Sequence, residues 1–517
     1  NISQIDFADL TATQIKGLTT TQVKDLSATD VGELTTDQVA ALSTAQVAAL
    51  TATNVSELDG TQVEALTTTQ IKALTTTQLK GLSTTDMGEL TATQIGALAA
   101  TQLASLSAEN VSELDFSDLT ATQVKGLTTT QISGLTTTAL GNLTSTQLGG
   151  LTATQVNALG ATNIEELATT QVTGLTATQI GGLSQANLSA LTGTQVAQMS
   201  STQMRGLSVT QLKNMSEADV GELTTDQLSG LSSTQVGALS TTAISSFDTT
   251  AMAAFDATQI KGLTATQLKA LTTTDIGEFA GTQIAALTST QIGALSNENL
   301  GQLDLGDLST TQVKGLTTTQ LKNLSDTDIA DLTADQIGAL SAAQITAISS
   351  TNMGELADTQ VAALNATQLR SMSVTQLKGL SSTQVGEFTA TQLQALTFSQ
   401  IGGLEPATIS VLDETQVQSL TTGQVQGLTS TQLGALETTD IGEFSTTQIK
   451  ALSANQLNAL GATNIAELST DQVQVLTQTQ LRGLSNTALS ALTATQVEAL
   501  NATQVQGLSA TQLKSLS

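Results

Sequence analysis

The sequence predicts an all-α protein: a solenoid of short capped helices, built from an eight-residue unit that is repeated about sixty times over 517 residues. Three observations lead to this prediction. A leucine ends almost every unit, a Ser/Thr-x-x-Gln motif begins almost every unit, and an aliphatic residue directly follows the glutamine. We call the unit an octad and number its positions one to eight, so that residues 11–18, with the sequence TATQIKGL, form the first octad.

The first half of each octad carries the signals of a helix start. Ser/Thr-x-x-Gln is a capping box, in which the hydroxyl accepts from the backbone N–H of the glutamine and the glutamine side chain reaches back to the N–H of the cap. Positions five and eight are three residues apart and therefore share one helix face. Pro406 stands at position two, the first helical position, where proline is favoured. Each octad is therefore predicted to form a short helix that is capped again at once.

A β-solenoid is the alternative fold, because Thr, Val and Ile are typical of strands. In a strand, however, positions five and eight would point to opposite faces of the sheet. The helical interpretation places both apolar positions on one buried face, and we prefer it. A single octad buries too little apolar surface to fold alone, so neighbouring octads must stack.

A longer period is superimposed on the octads. Variant octads carry Asp or Asn at position four, usually with Glu at position seven, and recur every three or four octads. Basic residues come in pairs that recur after seven octads. We therefore predict a superhelix with about 3.5 octads per turn, with variant octads along one edge and basic pairs returning every second turn. Examples are the variants at Asp30, Asn54, Asp86 and Asn110, and the pairs Lys16 with Lys24 and Lys72 with Lys80.

Three five-residue units replace octads at residues 6–10, 115–119 and 304–308. No Pro-rich or Gly-rich linker accompanies them, so we interpret residues 1–517 as one continuous solenoid with three seams. Because a screw with a non-integral number of octads drifts, we expect each short unit to reset its phase. The blocks between the seams are 11–114, 120–303 and 309–517.

The composition excludes several classes of function. The chain has no Cys and no His, which excludes Ser-His and Cys-His catalysis and zinc sites with nitrogen or sulfur ligands, so we expect no enzyme. Its 44 acidic and 16 basic residues give a net charge of −28, which disfavours nucleic acid and anionic membranes as partners. No apolar run approaches the roughly 20 residues of a membrane-spanning helix.

The paired acidic residues of the short units suggest a calcium site, because Ca²⁺ binds several oxygen ligands. The alternative is that each aspartate only caps a helix. Apart from this possible calcium, no cofactor is expected. The candidate ligands are Glu113, Asp115, Asp118, Asp6, Asp9, Asp304 and Asp307.

The run LTATQI at residues 10–15 resembles the Thr/Ala-rich octapeptide arrays of very large secreted or cell-surface bacterial proteins, often called adhesin-like. The likeness extends over the whole chain and implies an extracellular or cell-surface location and a stalk, fibre or coat function. Ice-nucleation proteins also use octapeptides with Thr-x-Thr, but this chain has no Tyr and lacks their Ala-Gly-Tyr-Gly-Ser core.

The repeat predicts a structural protein that forms a filament, sheath, surface coat or stalk. A regular array of octads presents a regular lateral surface, and heterologous contacts between copies of such a surface build open homopolymers. The alternative is a binding module whose superhelical groove or threonine array recognises a glycan, another polymer or ice.

Overall fold

The computed structural model describes residues 5–516, and every regular element in this part of the chain is a short helix. It contains 62 α-helices of four to six residues and three 3-10 helices, with no strand among the described residues. The all-α solenoid is therefore confirmed, and the β-solenoid alternative is wrong. None of the described helices is long and apolar enough to span a bilayer.

The chain divides into two compact units, Asn1–Leu263 and Thr264–Ser517. The division coincides with none of the predicted seams, since two of the short units lie inside the first compact unit and the third lies inside the second.

The first compact unit repeats one helix per octad. Its 3-10 helices are Phe7–Asp9 and Phe116–Asp118. Its α-helices are Ala12–Lys16, Thr20–Lys24, Ala28–Gly32, Thr36–Ala41, Thr44–Ala49, Ala52–Ser56, Gly60–Ala65, Thr68–Ala73, Thr76–Gly81, Thr84–Gly88, Ala92–Ala97, Ala100–Leu103, Ala108–Ser112, Ala121–Lys125, Thr129–Ser133, Thr137–Gly141, Ser145–Gly150, Ala153–Asn157, Gly160–Glu165, Thr169–Thr173, Ala177–Gly181, Gln185–Leu188, Gly193–Ala197, Ser201–Gly206, Val209–Lys213, Glu217–Gly221, Thr225–Ser229, Ser233–Val236, Thr241–Ser245, Thr249–Ala253 and Ala257–Ile260.

The second compact unit follows the same plan. Its 3-10 helix is Leu305–Asp307. Its α-helices are Ala265–Ala270, Thr273–Gly277, Gly281–Ala286, Ser289–Ile292, Asn297–Leu300, Thr310–Val313, Thr318–Lys322, Asp326–Asp331, Ala334–Ala339, Ala342–Ala347, Ser350–Gly354, Asp358–Ala362, Ala366–Ser371, Val374–Gly379, Ser382–Gly386, Ala390–Ala395, Phe398–Gly403, Pro406–Ser410, Glu414–Ser419, Thr422–Gly427, Ser430–Gly434, Thr438–Gly442, Thr446–Ala451, Ala454–Ala459, Gly461–Ala466, Thr470–Gln474, Gln478–Gly483, Asn486–Ser490, Ala494–Glu498, Ala502–Gln506 and Ala510–Ser515.

The capping box starts most of these helices. In the helix Thr76–Gly81, the N–H of Gln78 donates to Thr75 Oγ1 over 3.3 Å, and the N–H of Thr75 donates to Gln78 Oε1 over 2.7 Å. The helix ends at Leu82, whose extended backbone (φ −67°, ψ 140°) leads into the next cap. Each octad thus forms about one and a half helical turns followed by a short extended segment, as the sequence predicts.

Residues that depart from the capping motif show what the helix start needs. Pro406 is the first helical residue of Pro406–Ser410, which confirms its predicted position. Ala99 has no hydroxyl, yet its N–H still donates to Gln102 Oε1 over 2.7 Å. Gly160 and Gly461 stand where two octads would have their cap, with φ of 78° and 81°, and only glycine adopts such angles readily.

Apolar side chains at positions five and eight form the core of each compact unit. In the octad that starts at Thr75, Leu79 is fully buried, and Leu74 at the end of the preceding octad is 6% exposed. The same pattern repeats through most of the described residues, with leucine, isoleucine, valine or methionine at position five and leucine, isoleucine, methionine or phenylalanine at position eight. The predicted common apolar face is confirmed.

Hydrogen bonds between turns define the superhelical register. Helix Thr20–Lys24 packs on Thr44–Ala49, three octads further along the chain. Gln46, in that same later octad, donates through Nε2 to the carbonyls of Ile15 and Leu18, both over 2.9 Å, four octads earlier. Leu18 lies 28 residues before Gln46, which is a step of 3.5 octads and matches the turn that the variant spacing predicts.

The short units keep this register. Gln123, in the first octad after the seam at 115–119, donates to Ile95 and Leu98, which lie 28 and 25 residues earlier instead of 31 and 28. The difference is the three residues that the short unit lacks, so the short unit counts as one complete unit. Its 3-10 turn buries Phe116 fully, where an octad would bury position five. The expectation that these units reset the phase is therefore wrong.

Candidate functional site: the glutamine ladder and the charged surfaces

The glutamine at position four joins each turn to the preceding one. Gln78 is 2% exposed, and its Nε2 group donates to the backbone carbonyls of Val47 over 2.7 Å and Leu50 over 2.8 Å. Its Oε1 atom accepts from the N–H of Thr75 within its own octad. We call the recurrence of this arrangement the glutamine ladder. The ladder bonds recur in both compact units, for example at Gln46 and at Gln480.

The glutamine ladder satisfies backbone groups that the short helices leave open. An α-helix leaves its first N–H and last C=O groups without partners inside the helix, and in a helix of five residues these groups are the majority. One buried side chain fills both needs, at the start of its own helix and at the end of a helix one turn away. Each such hydrogen bond contributes about 0.5–1.5 kcal/mol, and an unpaired buried group costs about 1–3 kcal/mol.

Variant octads keep only half of this arrangement. Asn54 Nδ2 donates to the carbonyl of Leu26 over 2.9 Å, but its side chain is too short also to accept from the N–H of its cap. Asp86 accepts from the N–H of Ser83 over 2.7 Å and from the hydroxyl of Ser56 over 3.0 Å, but a carboxylate has no proton to donate to a carbonyl. The edge of the superhelix that carries the variant octads therefore has fewer hydrogen bonds per octad than the rest of the turn.

Glycines at position six have more space in the variants that carry aspartate than in most ordinary octads, although Gly141, in an octad with alanine at position four, is equally open. A Cβ on Gly181 would come 2.3 Å from the carbonyl oxygen of Gly206, three octads further on. A Cβ on Gly88, in an aspartate variant, would meet nothing within 4 Å. Gly354, in an asparagine variant, is crowded like an ordinary octad, since its Cβ would lie 2.8 Å from the carbonyl oxygen of Gly379. The open space recurs at the position-six glycines of four further aspartate variants: Gly32, Gly221, Gly277 and Gly442.

The glutamates at position seven of variant octads lie beside the first residue of an earlier helix. The Glu89 carboxylate lies 3.4 Å from the position of a Cβ on Gly60, the first residue of Gly60–Ala65. Glu443 has Glu414, the first residue of its helix, in the corresponding place. Partial burial, then the negative charges of Asp440, Glu414 and Asp413, raise the pKa of Glu443. Burial also leaves one carboxylate oxygen of Glu89 and one of Glu443 without a hydrogen bond among the described residues.

The basic side chains are exposed at position six. Lys16 and Lys72 lie seven octads apart, which equals two turns of 3.5 octads, so they occupy the same side of the first compact unit. In the second compact unit the same spacing separates Lys314 from Arg370. Lys378 Nζ forms an ion pair with Glu405 Oε1 at 2.9 Å.

The candidate calcium ligands cap helices. Asp6, Asp115 and Asp304 each precede a 3-10 helix and accept from the backbone N–H two residues later, at 3.0, 2.9 and 2.9 Å. The hydrogen bonds from Ser117 hold the pKa of Asp115 below its usual value. These three residues therefore act as helix N-caps, and calcium binding stays a prediction.

The remaining candidate ligands belong to the same short segments. Within residues 5–516, no group of three or more Asp, Glu, His or Cys side chains is placed to hold a metal ion. The structure therefore does not bring the seven predicted residues together as a ligand set. Asp9, Asp118 and Asp307 lie in the first turns of the 3-10 helices, and Glu113 follows the helix Ala108–Ser112.

Two surface features were not assigned a role from the sequence. Phe398, at position two, is 62% exposed and lines an open groove of about 420 Å³ with Arg370 and Gln394. Met199, Met204 and Met215 line a small cavity in the first compact unit. Phenylalanine at the solvent-facing position two was the available signal for the groove, whereas methionine at positions five and eight gave no signal for the cavity.

Comparison with known proteins supports the repeat array. The sequence model of the ALTTAQ repeat family matches residues 361–398 and 433–470, which is less than half of the chain. No curated protein sequence matches it.

Similarity to known structures is weak. A chain from the homology model of the full-length AP-3 complex in an intermediate open conformation is 11% identical with a TM-score of 0.15, over 98% of this chain and 86% of that chain. The structures of APUM23-GGAAUUGACGG and APUM23-GGAUUUGACGG are both 13% identical, with TM-scores of 0.12 and 0.14. They cover 82% and 85% of this chain and 83% of each APUM23 chain. TM-scores this low indicate neither a shared fold nor a shared function.

Proposed function

We propose that the protein is a structural solenoid of the bacterial cell surface or exterior, which forms a filament, sheath, coat or stalk and catalyses no reaction. The glutamine ladder is the observation that carries this proposal. It uses the same buried side chain to lock turn to turn throughout both compact units, so that length can be extended by adding octads without a change of design. The absence of cysteine and the acidic composition support an exterior location.

We further propose that copies associate side by side. The basic pairs recur every two turns and the variant octads about once per turn. Each basic pair along one copy can therefore lie opposite an acidic variant octad of the next copy. The net charge of −28 opposes this association at low ionic strength, because long-range repulsion between copies is then unscreened. Moderate salt reduces that repulsion, while close ion pairs in a contact that excludes water are screened less.

Electron microscopy of the full chain over a range of salt and calcium concentrations tests the assembly. We expect lateral bundles at about 0.15 M salt, where the Debye length is about 8 Å. The variant K24Q/K72Q/K80Q should bundle less than K125Q/K450Q/R482Q, which removes the same number of charges from bases outside the adjacent pairs. Single particles under all conditions would contradict lateral association and leave the single-chain stalk. Protease treatment of intact producing cells tests the location, since a surface protein is cleaved without lysis.

A second candidate function is glycan binding at the Phe398 groove. The groove has the volume of a small-molecule site and combines one aromatic face with a few polar groups, from Arg370, Gln394 and Thr397. A glycan array probed with the wild type and with Phe398→Ser tests it, since serine also stands at position two, as at Ser145. Signals that the two proteins share equally, or no signal from either, would rule this groove out. An ice-recrystallisation assay tests the threonine array separately.

A further inference from the structure

Three of the seven methionines of the chain lie in three successive octads. Met199 and Met215 occupy position eight, where leucine is the usual residue, and Met204 occupies position five. All three residues line one cavity of the first compact unit, together with Asp219. The cavity has a volume of about 10 Å³, about the minimum that holds one water molecule, so it has room for one small ion.

The lining of this cavity is chemically unlike the rest of the core. Thioethers are soft, uncharged donors that select Cu(I) over Mg²⁺ or Ca²⁺. The chain has no Cys and no His, so methionine is its only soft ligand. The rest of the wall is formed by Leu188, Val196, Leu207 and one polar residue, Ser189.

The carboxylate of Asp219 supplies the charge that such a site needs. A cation in an apolar cavity is costly unless it is paired with a negative group. The hydroxyl of Ser216 donates to Asp219 Oδ2 over 2.6 Å, and the N–H of Asp219 donates back to Ser216 Oγ over 3.1 Å. These bonds fix the carboxylate at the start of a variant octad, as hydrogen-bond partners fix the ligands of other metal sites.

We propose that Met199, Met204 and Met215, with Asp219 as the counter-charge, bind one monovalent soft cation, Cu(I). This role is additional to the structural function, since it uses one cavity of the array and no feature of the ladder. The competing explanation is that methionine only fills a packing gap, as its flexible side chain often does. Met372 provides the contrast, because it is also buried at position eight but is not part of this cavity.

Competition with the chromophoric chelator bicinchoninate under anaerobic conditions tests the proposal on the full chain. We expect the wild type to withdraw one equivalent of Cu(I). Met204→Leu, Met215→Leu and Asp219→Asn should each weaken binding at least about tenfold, whereas Met372→Leu should bind like the wild type. Leucine restores a usual residue of the octad, and circular dichroism verifies that each variant is folded. No withdrawal of Cu(I) by the wild type, or equal affinity in all variants, would overturn the proposal.

Titration with Ag(I), a redox-stable analogue of Cu(I), identifies the ligands independently. The chain labelled with ¹³C at the methionine methyl groups has seven such groups. We expect the signals of Met199, Met204 and Met215 to shift with one equivalent while the other four stay in place. Shifts of all seven signals together, or of none, would show that the cavity is only a packing feature.

Discussion

Ordinary and variant octads share one backbone plan but differ in how firmly they hold the adjacent turns. Gln78 bonds to the cap of its own helix and to two carbonyls of an earlier turn, whereas Asn54 keeps the carbonyl bond and Asp86 keeps the cap bond. The glutamine side chain is one methylene longer than that of asparagine or aspartate, and that length allows both bonds. Most octads carry the glutamine that makes both bonds, so the array tolerates single octads without it and even two successive ones, 240–247 and 248–255.

The space around the backbone differs in the same sense where the variant carries aspartate. A Cβ on Gly181 would clash with the carbonyl of Gly206, while one on Gly88 would meet open space. Aspartate variants therefore combine fewer bonds between turns with a less crowded surface, and, like the asparagine variants, they usually carry a glutamate at position seven. Ordinary octads therefore supply most of the hydrogen bonds between turns, and the aspartate variants present an acidic, less crowded surface.

The largest expected effect is that of Gln78→Glu. The introduced carboxylate can still accept from the N–H of Thr75, but it faces the carbonyl oxygens of Val47 and Leu50 without a proton to donate. We expect a loss of about 3–5 kcal/mol of local stability at neutral pH, as for other uncompensated buried charges. Burial raises the folded-state pKa of the new carboxyl, so the loss should shrink as the pH falls through that pKa and the protonated acid donates.

Hydrogen–deuterium exchange of the peptides around residues 47–50 and 75–82 measures this effect, because a long repeat array does not unfold as one two-state unit. Gln474→Glu is the matched control, since the side chain of Gln474 is exposed. A surface change of this kind should alter stability by less than about 0.5 kcal/mol. Equal exchange in the two variants would show that the glutamine ladder contributes little.

The sequence predicts those hydrogen bonds of the glutamine ladder that lie within one octad. The bond between Thr75 and Gln78 lies within one octad and follows from the capping motif, and the variant spacing predicts a turn of about 3.5 octads. The bonds from Gln78 to Val47 and Leu50 span 31 and 28 residues. No local pattern assigns a glutamine Nε2 group to a carbonyl that far away in the sequence. The ladder therefore became visible only in the structure.

Other features that the sequence leaves open have a related cause. The short unit at 115–119 lacks three residues, and the sequence alone does not show that a 3-10 turn with Phe116 inside spans the same step as a whole octad. Asp115 fits both a cap and a calcium ligand, and only the placement of the other carboxylates separates the two. The methionine cavity was missed because methionine at positions five and eight has the pattern of an ordinary core.

The second expected effect contrasts two glycine substitutions. A Cβ on Gly206 would lie 2.2 Å from the carbonyl oxygen of Ala177, so Gly206→Ala must push two backbones apart. We expect it to destabilise by about 1–3 kcal/mol. Gly88→Ala meets no atom and removes a flexible residue from a helix, so it should stabilise by about 0.5–1 kcal/mol. Local exchange rates measure both, and the same sign for both changes would contradict the crowding difference.

A third, smaller effect tests whether side-chain length alone weakens variant octads. Asn54→Gln adds the methylene that an ordinary octad has and should restore the bond from the N–H of Thr51. We expect a gain of about 0.5–1.5 kcal/mol, the contribution of one hydrogen bond. Asn54→Ala should lose a similar amount, because the carbonyl of Leu26 then loses its donor. Thermal unfolding, together with hydrogen–deuterium exchange of residues 51–58, measures both changes. A destabilised Asn54→Gln would show that the surroundings require the shorter side chain.

The smallest expected effect concerns the acidic surface of the variant octads. Because the folded state raises the pKa of Glu443, its charged form costs stability at neutral pH. This cost disappears as the pH falls through the raised folded-state pKa to the ordinary value near 4.5. Glu443→Gln should therefore stabilise slightly at pH 7, by less than about 0.5 kcal/mol because the side chain is only partly buried, and should make no difference below pH 4. Glu414→Thr should lower the pKa of Glu443 toward its ordinary value in a ¹³C NMR titration, because it removes one of the neighbouring charges. If Glu414→Thr leaves the titration of Glu443 unchanged, the charge of Glu414 does not contribute to this pKa.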